Sequence, residues 1–314
     1  MASDWDRRSV LWLTAGLGLA STSSGATLVA RALDGLFGDD TPPKVAAIYW
    51  TRWNSSVPLR SVPTSYNVIY LFAATRGYPV GEMTWEQQTD LAAEVRHCRA
   101  RGQRVVLSLG GSGQGVPFTT RTECERLVAS VVRIDAELGG TIHAPAIDGV
   151  DFNTFEDGVA AYASLYIWMA EELRRRFGSG FGISCPPAPT SARDRRFCRA
   201  LLSAGAMDYV APQFYDGPGL ADPDVIVRET RAWVDEVADG DASRIVVGFG
   251  MDDLPDYSSM AEIAVAWARI LAEHPRIGGA YLWQHRTDAA GGWPFAQRMA
   301  PGIAAGHRSV RGSW

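Results

Sequence analysis

Residues 147–156 read Ile147-Asp148-Gly149-Val150-Asp151-Phe152-Asn153-Thr154-Phe155-Glu156, and the apolar half of this stretch predicts a buried β-strand. Side chains alternate between the two sides of a strand, so Asp151, Asn153 and Phe155 are expected to share one side. Glu156 points the other way unless the strand ends or bulges before it, because a bulge re-aims the residues that follow. The loop-like pair Asp157-Gly158 comes next, which leaves Glu156 free to turn inward. A pocket on that side receives a carboxylate, an amide and an aromatic ring, with Glu156 as a further carboxylate if it turns inward.

Short apolar runs of this kind recur along the chain and alternate with longer amphipathic segments. Eight buried strands joined by helices predict an α/β fold of the (β/α)8 barrel type, and a doubly wound sheet is the alternative. The first connection, residues 51–67, lacks a convincing helical pattern. The strand-like runs are 45–50, 68–73, 104–109, 147–152, 180–185, 209–214, 245–249 and 279–283, and the helical segments are 85–101, 123–138, 159–177, 192–204, 225–237 and 260–273.

The composition is that of a folded, weakly acidic chain. Its 314 residues are 46% hydrophobic, which suffices for a large core, and residues 44–314 are interpreted as a single domain. Thirty basic residues against 35 acidic ones give a net charge of -5 without a basic stripe, which argues against nucleic acid as a partner. Lys44 is the only lysine and precedes the first strand, so a Schiff-base mechanism is not expected.

The first 43 residues are typical of an export signal followed by a linker. Arg7-Arg8 precede a short apolar stretch, residues 9–20, that is too short to span a bilayer comfortably, and paired arginines indicate twin-arginine export. Ala30-Arg31-Ala32 is one cleavage site that fits. The alternative is a disordered or membrane-tethered tail. We therefore expect a secreted or cell-surface protein that contacts a membrane only through this segment, if it is uncleaved.

Cysteine and histidine usage bears on covalent links and cofactors. Four cysteines allow three pairings, of which Cys185 with Cys198 and Cys98 with Cys124 are the first to consider, against four free thiols. The five histidines are scattered without the close spacing of metal ligands. We expect neither a metal nor another cofactor.

Reactive groups of a (β/α)8 barrel project from the carboxyl ends of its strands. Here those ends carry aromatic and acidic residues, and flat apolar rings with nearby carboxylates and amides suit sugar rings and their polar substituents. The candidate catalytic residues are Glu156, Asp151, Asn153 and Tyr215, and the candidate substrate-binding residues are Trp283, Gln213, Asp216, Tyr49, Trp50 and Trp53.

Five motifs, in order along the chain, resemble those of the family 18 glycoside hydrolases, the chitinase family, and in particular its single-domain class III type. The resemblance implies a barrel that binds chitin-like oligosaccharides, with Glu156 as the acid, Asp151 supporting it, Tyr215 contacting the acetamide and Trp283 forming the floor of a subsite. The motifs are Ala47-Ile48-Tyr49-Trp50, Ser108-Leu109-Gly110-Gly111, Asp148-Gly149-Val150-Asp151-Phe152, Gln213-Phe214-Tyr215 and Gly278-Gly279-Ala280-Tyr281-Leu282-Trp283.

The family pattern D-G-x-D-x-D-x-E is incomplete in this chain. Asn153 occupies the position of the middle aspartate and Phe155 that of the glutamate; an insertion of one residue instead recruits Glu156 as the acid. In this family the acid protonates the leaving oxygen while the acetamide of the substrate attacks the anomeric carbon. Asn153 can accept a hydrogen bond but carries no charge to offset the oxazolinium ion.

Three functions are consistent with these residues. One is a hydrolase of N-acetylglucosamine-containing glycans that uses Glu156. Another is an inactive glycan-binding pseudo-chitinase. The last is a chitinase-like barrel reassigned to acid-base chemistry on a different substrate, with Glu156, Asp216 or Asp252 as the acid or base.

Overall fold

A computed structural model of the chain describes residues 44–51, 53, 56–86, 89–141, 143–156, 158–252 and 254–305. The predicted export segment, residues 1–43, lies outside the described residues. The strands of the described part are β1 (Val45–Thr51), β2 (Val68–Arg76), β3 (Met83–Thr84), β4 (Arg104–Gly110), β5 (Gly149–Asn153), β6 (Gly182–Cys185), β7 (Tyr209–Val210), β8 (Gln213–Phe214), β9 (Val246–Gly250) and β10 (Gly279–Trp283).

Parallel pairing closes these strands into a barrel. The order is β7-β6-β5-β4-β2-β1-β10-β9-β8, and β3 is an antiparallel partner of β2 outside the ring. β7 and β8 are two parts of one strand position, because β7 pairs with β6 and β8 pairs with β9. Eight strand positions therefore surround one axis, which confirms the prediction of a (β/α)8 barrel.

Helices connect most of the strands on the outside of the barrel. Several begin at side chains that cap free backbone N–H groups: Thr120 and Ser259 each form a capping box, and Asp222 precedes a proline in the first turn. The described helices are α1 (Leu91–Ala100), α2 (Arg121–Glu137), α3 (Ala163–Phe177), α4 (Ala192–Ser203), α5 (Pro223–Glu236), α6 (Met260–Glu273), α7 (His285–Ala290), α8 (Pro294–Arg298) and α9 (Ala300–Ala304).

All six predicted helices are present, although not every boundary agrees, and the three short helices α7, α8 and α9 were not predicted. The connection after β1 contains only a 3-10 turn, Leu59–Ser61, where no helix was expected. α3 begins at Ala163, whereas the pattern predicted a start at residue 159. The loop that follows β5 is therefore longer than expected, and this loop carries Glu156.

The barrel has an inner and an outer layer of side chains, which follow from strand alternation. Inside, Tyr49, Tyr70 and Tyr281 form an aromatic cluster, and Gly248 leaves room for it, since a Cβ there would lie 2.2 Å from the Tyr281 ring. Outside, aliphatic and aromatic residues such as Ile48 pack against the helices. The outer layer is apolar, whereas the inner layer also contains polar groups.

All four cysteines are buried free thiols, so the disulfides considered from the sequence are not formed. The Sγ atoms of Cys185 and Cys198 are neighbours at 3.4 Å, a distance well beyond a covalent bond of about 2 Å. Cys98 and Cys124 lie on α1 and α2. Among the described residues, no helix combines the length and the apolar character needed to span a bilayer.

Candidate functional site

The end of β5 departs from simple alternation. Asp151 and Asn153 face the barrel interior, whereas Thr154 and Phe155 both face the helices: the Thr154 hydroxyl lies 2.8 Å from that of Tyr166, and the Phe155 ring packs at 5.0 Å on Phe197. Two successive residues on the outer side act as a one-residue insertion. The expectation that Phe155 shares the side of Asp151 and Asn153 is wrong for this reason.

The insertion returns Glu156 to the interior. Its carboxylate lines the cavity at the mouth of the barrel, where Nε2 of Gln213 donates a hydrogen bond of 2.7 Å to Oε1. The same Nε2 also lies 2.6 Å from the carbonyl oxygen of Pro186, and the hydroxyl of Tyr215 donates to Oε1 of Gln213 at 2.9 Å. Gln213 thus links Glu156 to Tyr215 and holds the carboxylate on the mouth side.

Asp151 lies deeper in the barrel and is completely buried. Three hydroxyl groups donate to its carboxylate: Tyr49 at 2.8 Å, Ser184 at 2.8 Å and Ser108 at 3.0 Å. Burial raises the pKa of Asp151 to about 6, and the three hydrogen bonds oppose that rise. Asp151 is therefore an acid that changes charge near neutral pH.

The two serines were not among the predicted site residues. Strand register explains their role, because Ser108 of β4 and Ser184 of β6 both pair side by side with Asp151 of β5. Register depends on how distant strands associate, so no local sequence pattern indicated this contact. Ser108 stands in a recognised motif, but the motif did not show what its hydroxyl binds.

Asn153 is buried, with 3% of its surface exposed, yet it lines the cavity. Its Oδ1 atom has no hydrogen-bond partner among the described residues. An unpaired buried carbonyl costs free energy, on the order of 1–3 kcal/mol, unless a ligand or water supplies an N–H or O–H donor. This atom is therefore a ready acceptor at the base of the cavity.

Aromatic rings form the walls of the mouth. Trp283 stacks on Tyr215 with ring centres 5.9 Å apart and an angle of 7° between planes, and Phe72 meets Trp283 edge-on at 4.9 Å. Trp53 contacts Phe72 edge-on at 5.5 Å and is 58% exposed. Burial raises the pKa of Tyr215 well above its usual value, so its hydroxyl stays protonated as a donor. The mouth can cover an apolar ring face with aromatic surface.

Of the three remaining predicted residues, two line this cavity and one does not. Asp216 and Tyr49 line the cavity, the latter at its base. Trp50 does not, and its prediction as a substrate-binding residue is wrong. Since Tyr49 points inward, the next residue of β1 points outward, and Trp50 is buried in the outer layer with Nε1 donating to the carbonyl of Val57 at 2.9 Å.

The cavity has a volume of about 790 Å³, within the range of small-molecule sites. Residues within or after β1, β2, β4, β5, β6, β8, β9 and β10 line it. Arg193 of α4 also lines this cavity and was not predicted from the sequence.

Curated relatives of the chain include chitinases. The basic endochitinase of Nicotiana tabacum is 25% identical over 224 residues, which cover 67% of this chain and 71% of that protein. Endochitinase 3 of Metarhizium robertsii is 23% identical over 278 residues, which cover 76% and 84%. Only 22% of endochitinase A from Emericella nidulans is matched. No protein-family model matches the chain.

Solved structures with the same architecture include a family GH18 chitinase from Chromobacterium violaceum, with a TM-score of 0.69 and 18% identity over 85% of this chain and 84% of that one. Another is the xylanase and α-amylase inhibitor protein XAIP-II of Scadoxus multiflorus, with a TM-score of 0.64 and 16% identity over 81% and 97%. The fold-level resemblance to the family 18 chitinases is thereby confirmed. Because an inhibitor protein shares this architecture, the fold alone does not decide the activity.

Proposed function

We propose that this chitinase-like barrel is a glycoside hydrolase that acts on N-acetylglucosamine-containing glycans by a substrate-assisted mechanism. One observation carries the proposal: the carboxylate of Glu156 lies inside the mouth, 2.7 Å from Nε2 of Gln213, despite its displacement by one residue. A general acid must be within reach of the leaving group before its other properties matter. The names of curated relatives, which include endochitinases from Nicotiana tabacum and Metarhizium robertsii, support the same reaction.

In the proposed reaction, protonated Glu156 donates its proton to the glycosidic oxygen as the bond to the anomeric carbon breaks. The acetamide oxygen of the same sugar bonds to that carbon and forms an oxazolinium ion. Water then attacks the anomeric carbon and gives a proton to the Glu156 carboxylate. The bond between the anomeric carbon and the acetamide oxygen breaks, which opens the oxazolinium ring and restores the acetamide. The stereochemistry at the anomeric carbon is retained, and the chain needs no nucleophile of its own.

Asn153 and Asp151 divide the task of stabilising the acetamide. Oδ1 of Asn153 accepts a hydrogen bond from the acetamide N–H, which fills its vacant acceptor position. The amide carries no charge, so the negative charge that offsets the oxazolinium ion comes from Asp151, which lies two residues earlier on the same face of β5. Because the pKa of Asp151 is about 6, this charge is present above that pH and absent below it.

The aromatic residues bind the sugar rings in this proposal. Trp283 lies under the ring that carries the reacting acetamide, and Tyr215 contacts the acetamide itself. Sugar rings present flat C–H faces that pack on indole rings. Trp53, at the exposed rim, and Asp216, on the other side of the mouth, contact neighbouring rings of the polymer.

The test is hydrolysis of a fluorogenic chitotrioside between pH 4 and about 8, compared with Glu156→Gln. We expect turnover by the wild type and a fall of about 10²- to 10⁴-fold in the variant, the usual contribution of a positioned general acid. Glu171→Gln is the matched control, since Glu171 is an exposed glutamate of α3. Equal rates for the wild type and Glu156→Gln would refute the proposal, and calorimetry with chito-oligosaccharides then distinguishes a binding protein from a reassigned enzyme.

We also propose that residues 1–43 direct export by a twin-arginine route, on the strength of Arg7-Arg8 and the short apolar stretch after them. The segment fused to a reporter should carry it out of the cytoplasm of a bacterium that has this pathway. Replacing Arg7 and Arg8 by lysine should retain the reporter inside. Export that is unaffected by the replacement contradicts the twin-arginine route.

A further inference from the structure

The loop after β5 is held by contacts from neighbouring elements on both sides. On the β4 side, the amide of Gly111 donates to the carbonyl of Asn153 at 2.9 Å and the amide of Val116 donates to that of Thr154 at 2.7 Å. These bonds fasten the backbone before Glu156. They do not fasten the segment after Thr154, which has left the sheet.

Arg193, on the first turn of α4, binds that segment. Its Nη2 donates to the carbonyl of Phe155 at 3.2 Å, and its Nη1 donates to the carbonyl of Val159 at 3.1 Å. One guanidinium group therefore bridges the backbone immediately before Glu156 and three residues after it. The amide of Val159 completes this turn by donating to the carbonyl of Glu156 at 3.2 Å.

The guanidinium group is itself held in place by Asp194. Nε and Nη2 of Arg193 both lie 2.8 Å from Oδ1 of Asp194, whose side chain is only 4% exposed. Oδ2 of Asp194 accepts a hydrogen bond of 3.3 Å from the amide of Ala188, in the loop between β6 and α4. A buried partner of this kind orients the planar donor group better than an exposed one, because it has little freedom of its own.

These contacts matter because Glu156 reaches the mouth only through the insertion. In a regular strand the pairing to β4 and β6 would fix the direction of the acid, whereas here the acid follows two outward residues and belongs to a loop. Gln213 holds the carboxylate, but no strand pairing holds the backbone that bears it. Arg193 supplies this restraint from outside the sheet, and most of its N–H groups are used in doing so.

We propose that Arg193 is a positioning residue, which fixes the 155–159 turn and thereby the place of the Glu156 carboxyl in the mouth. Its effect on turnover rests on the proposed function. Its effect on the loop does not, so the two can be tested separately. A misplacement of about 1 Å can cost on the order of 100-fold in rate when a catalytic group must meet its target.

The experiment compares the wild type with Arg193→Met, Arg193→Lys and the control Arg196→Met, an exposed arginine of the same helix. Two quantities are measured: amide hydrogen exchange of a peptide covering residues 153–162, and kcat and KM on a fluorogenic chitotrioside. We expect Arg193→Met to speed exchange of this peptide and to lower kcat by about 10- to 100-fold, with KM changed by no more than about threefold. Arg193→Lys keeps the charge but lacks the fork that reaches both carbonyls, so it should fall between the wild type and Arg193→Met.

Each outcome supports or overturns the inference that Arg193 fixes the 155–159 turn. Unchanged exchange of the 153–162 peptide in Arg193→Met overturns the inference. Faster exchange with an unchanged kcat also overturns it, as does a fall in kcat/KM that comes entirely from a higher KM. Should Arg193→Met fail to fold, Arg193→Lys gives the same two readouts, and wild-type values for it overturn the inference. If the wild type hydrolyses nothing, the proposed function fails, and the exchange result alone decides whether Arg193 fixes the turn.

Discussion

Phe155 and Glu156 are adjacent in the chain but lie on opposite sides of the barrel wall. The Phe155 ring packs on Phe197 of α4, 5.0 Å away, while the Glu156 carboxylate accepts a hydrogen bond of 2.7 Å from Gln213 at the mouth. Only the backbone of this segment separates the two side chains. Any change that shifts this segment by one residue would exchange the two side chains, so the proposed activity depends on the insertion that separates them.

Asn153→Asp should increase hydrolysis. A carboxylate at this position can accept the acetamide N–H and also offset the oxazolinium charge, which the amide cannot, so we expect kcat to rise on the order of tenfold. The new buried acid should also couple with Asp151, raising the pKa of one of the pair and lowering that of the other. The pH dependence of kcat measures both effects. Asn153→Ser, which has no charge, is the control, and a variant Asn153→Asp with unchanged or lower kcat contradicts the proposal.

Asp151 should govern the acidic side of the pH profile. Since its pKa is raised to about 6, its charge is lost as the pH falls through that value, and kcat should fall with it. Measurements of kcat between pH 4 and about 8 test this. An aspartate with the ordinary pKa of about 4 would instead show the fall in kcat near the lower end of this pH range. Asp151→Asn should lose both the charge and this pH dependence.

The same group links stability to pH. The folded state binds the proton of Asp151 more tightly than the unfolded state does, so this contribution to the free energy of unfolding is complete below about pH 4 and lost as the pH rises through about 6. The loss is on the order of 3 kcal/mol by pH 7. Urea unfolding at pH 5 and 7.5 should show the wild type losing stability relative to Asp151→Asn over that interval. Asp235→Asn, at an exposed site of α5, is the control, and parallel pH dependences for the wild type and Asp151→Asn would contradict the assignment.

Trp283→Ala should weaken substrate binding more than Trp53→Ala. Trp283 is stacked on Tyr215 and braced edge-on by Phe72, whereas Trp53 is 58% exposed at the rim. We expect KM for chito-oligosaccharides to rise at least tenfold in Trp283→Ala, equivalent to about 1.4 kcal/mol of binding free energy. Trp53→Ala should change KM less. Equal effects in calorimetric titrations of the two variants would mean that Trp283 is not the floor of a subsite.

The cysteines should be unreactive in the folded protein. Burial raises the pKa of Cys98 and of Cys124 to about 11, and the thiolate is the reactive form. The folded protein, prepared under reducing conditions, should therefore react slowly with a thiol reagent at pH 8. In denaturant, all four thiols should react. Fast reaction of the folded protein argues against this burial. A count of two in denaturant, without reductant, indicates that one disulfide has formed, and Cys185 with Cys198, whose Sγ atoms lie 3.4 Å apart, is the pair to examine first by peptide mapping.

Much of the barrel could be predicted because its pattern is local. Each strand is a short apolar run between turn residues, and each helix is an amphipathic segment, so element type and order follow from residues close together in the chain. Boundaries were less accurate where loops carry function: α3 begins at Ala163 rather than residue 159, and the β2–β3 hairpin was not expected. Trp50 was assigned to the mouth because it ends an apolar run, but strand alternation turns it toward the helices.

By itself, the sequence determined the class of fold, the face on which polar residues gather and the identity of the groups at the end of β5. Only the tertiary structure decided which of those groups meet. The direction of Glu156 depends on an insertion supported by Gln213 and Arg193. The pKa of Asp151 depends first on its burial inside the barrel and then on the hydroxyls that strand register brings from β1, β4 and β6. The physical reason is that strand alternation and helical periodicity are properties of neighbouring residues, whereas hydrogen bonds and burial in a closed barrel join residues far apart in the chain.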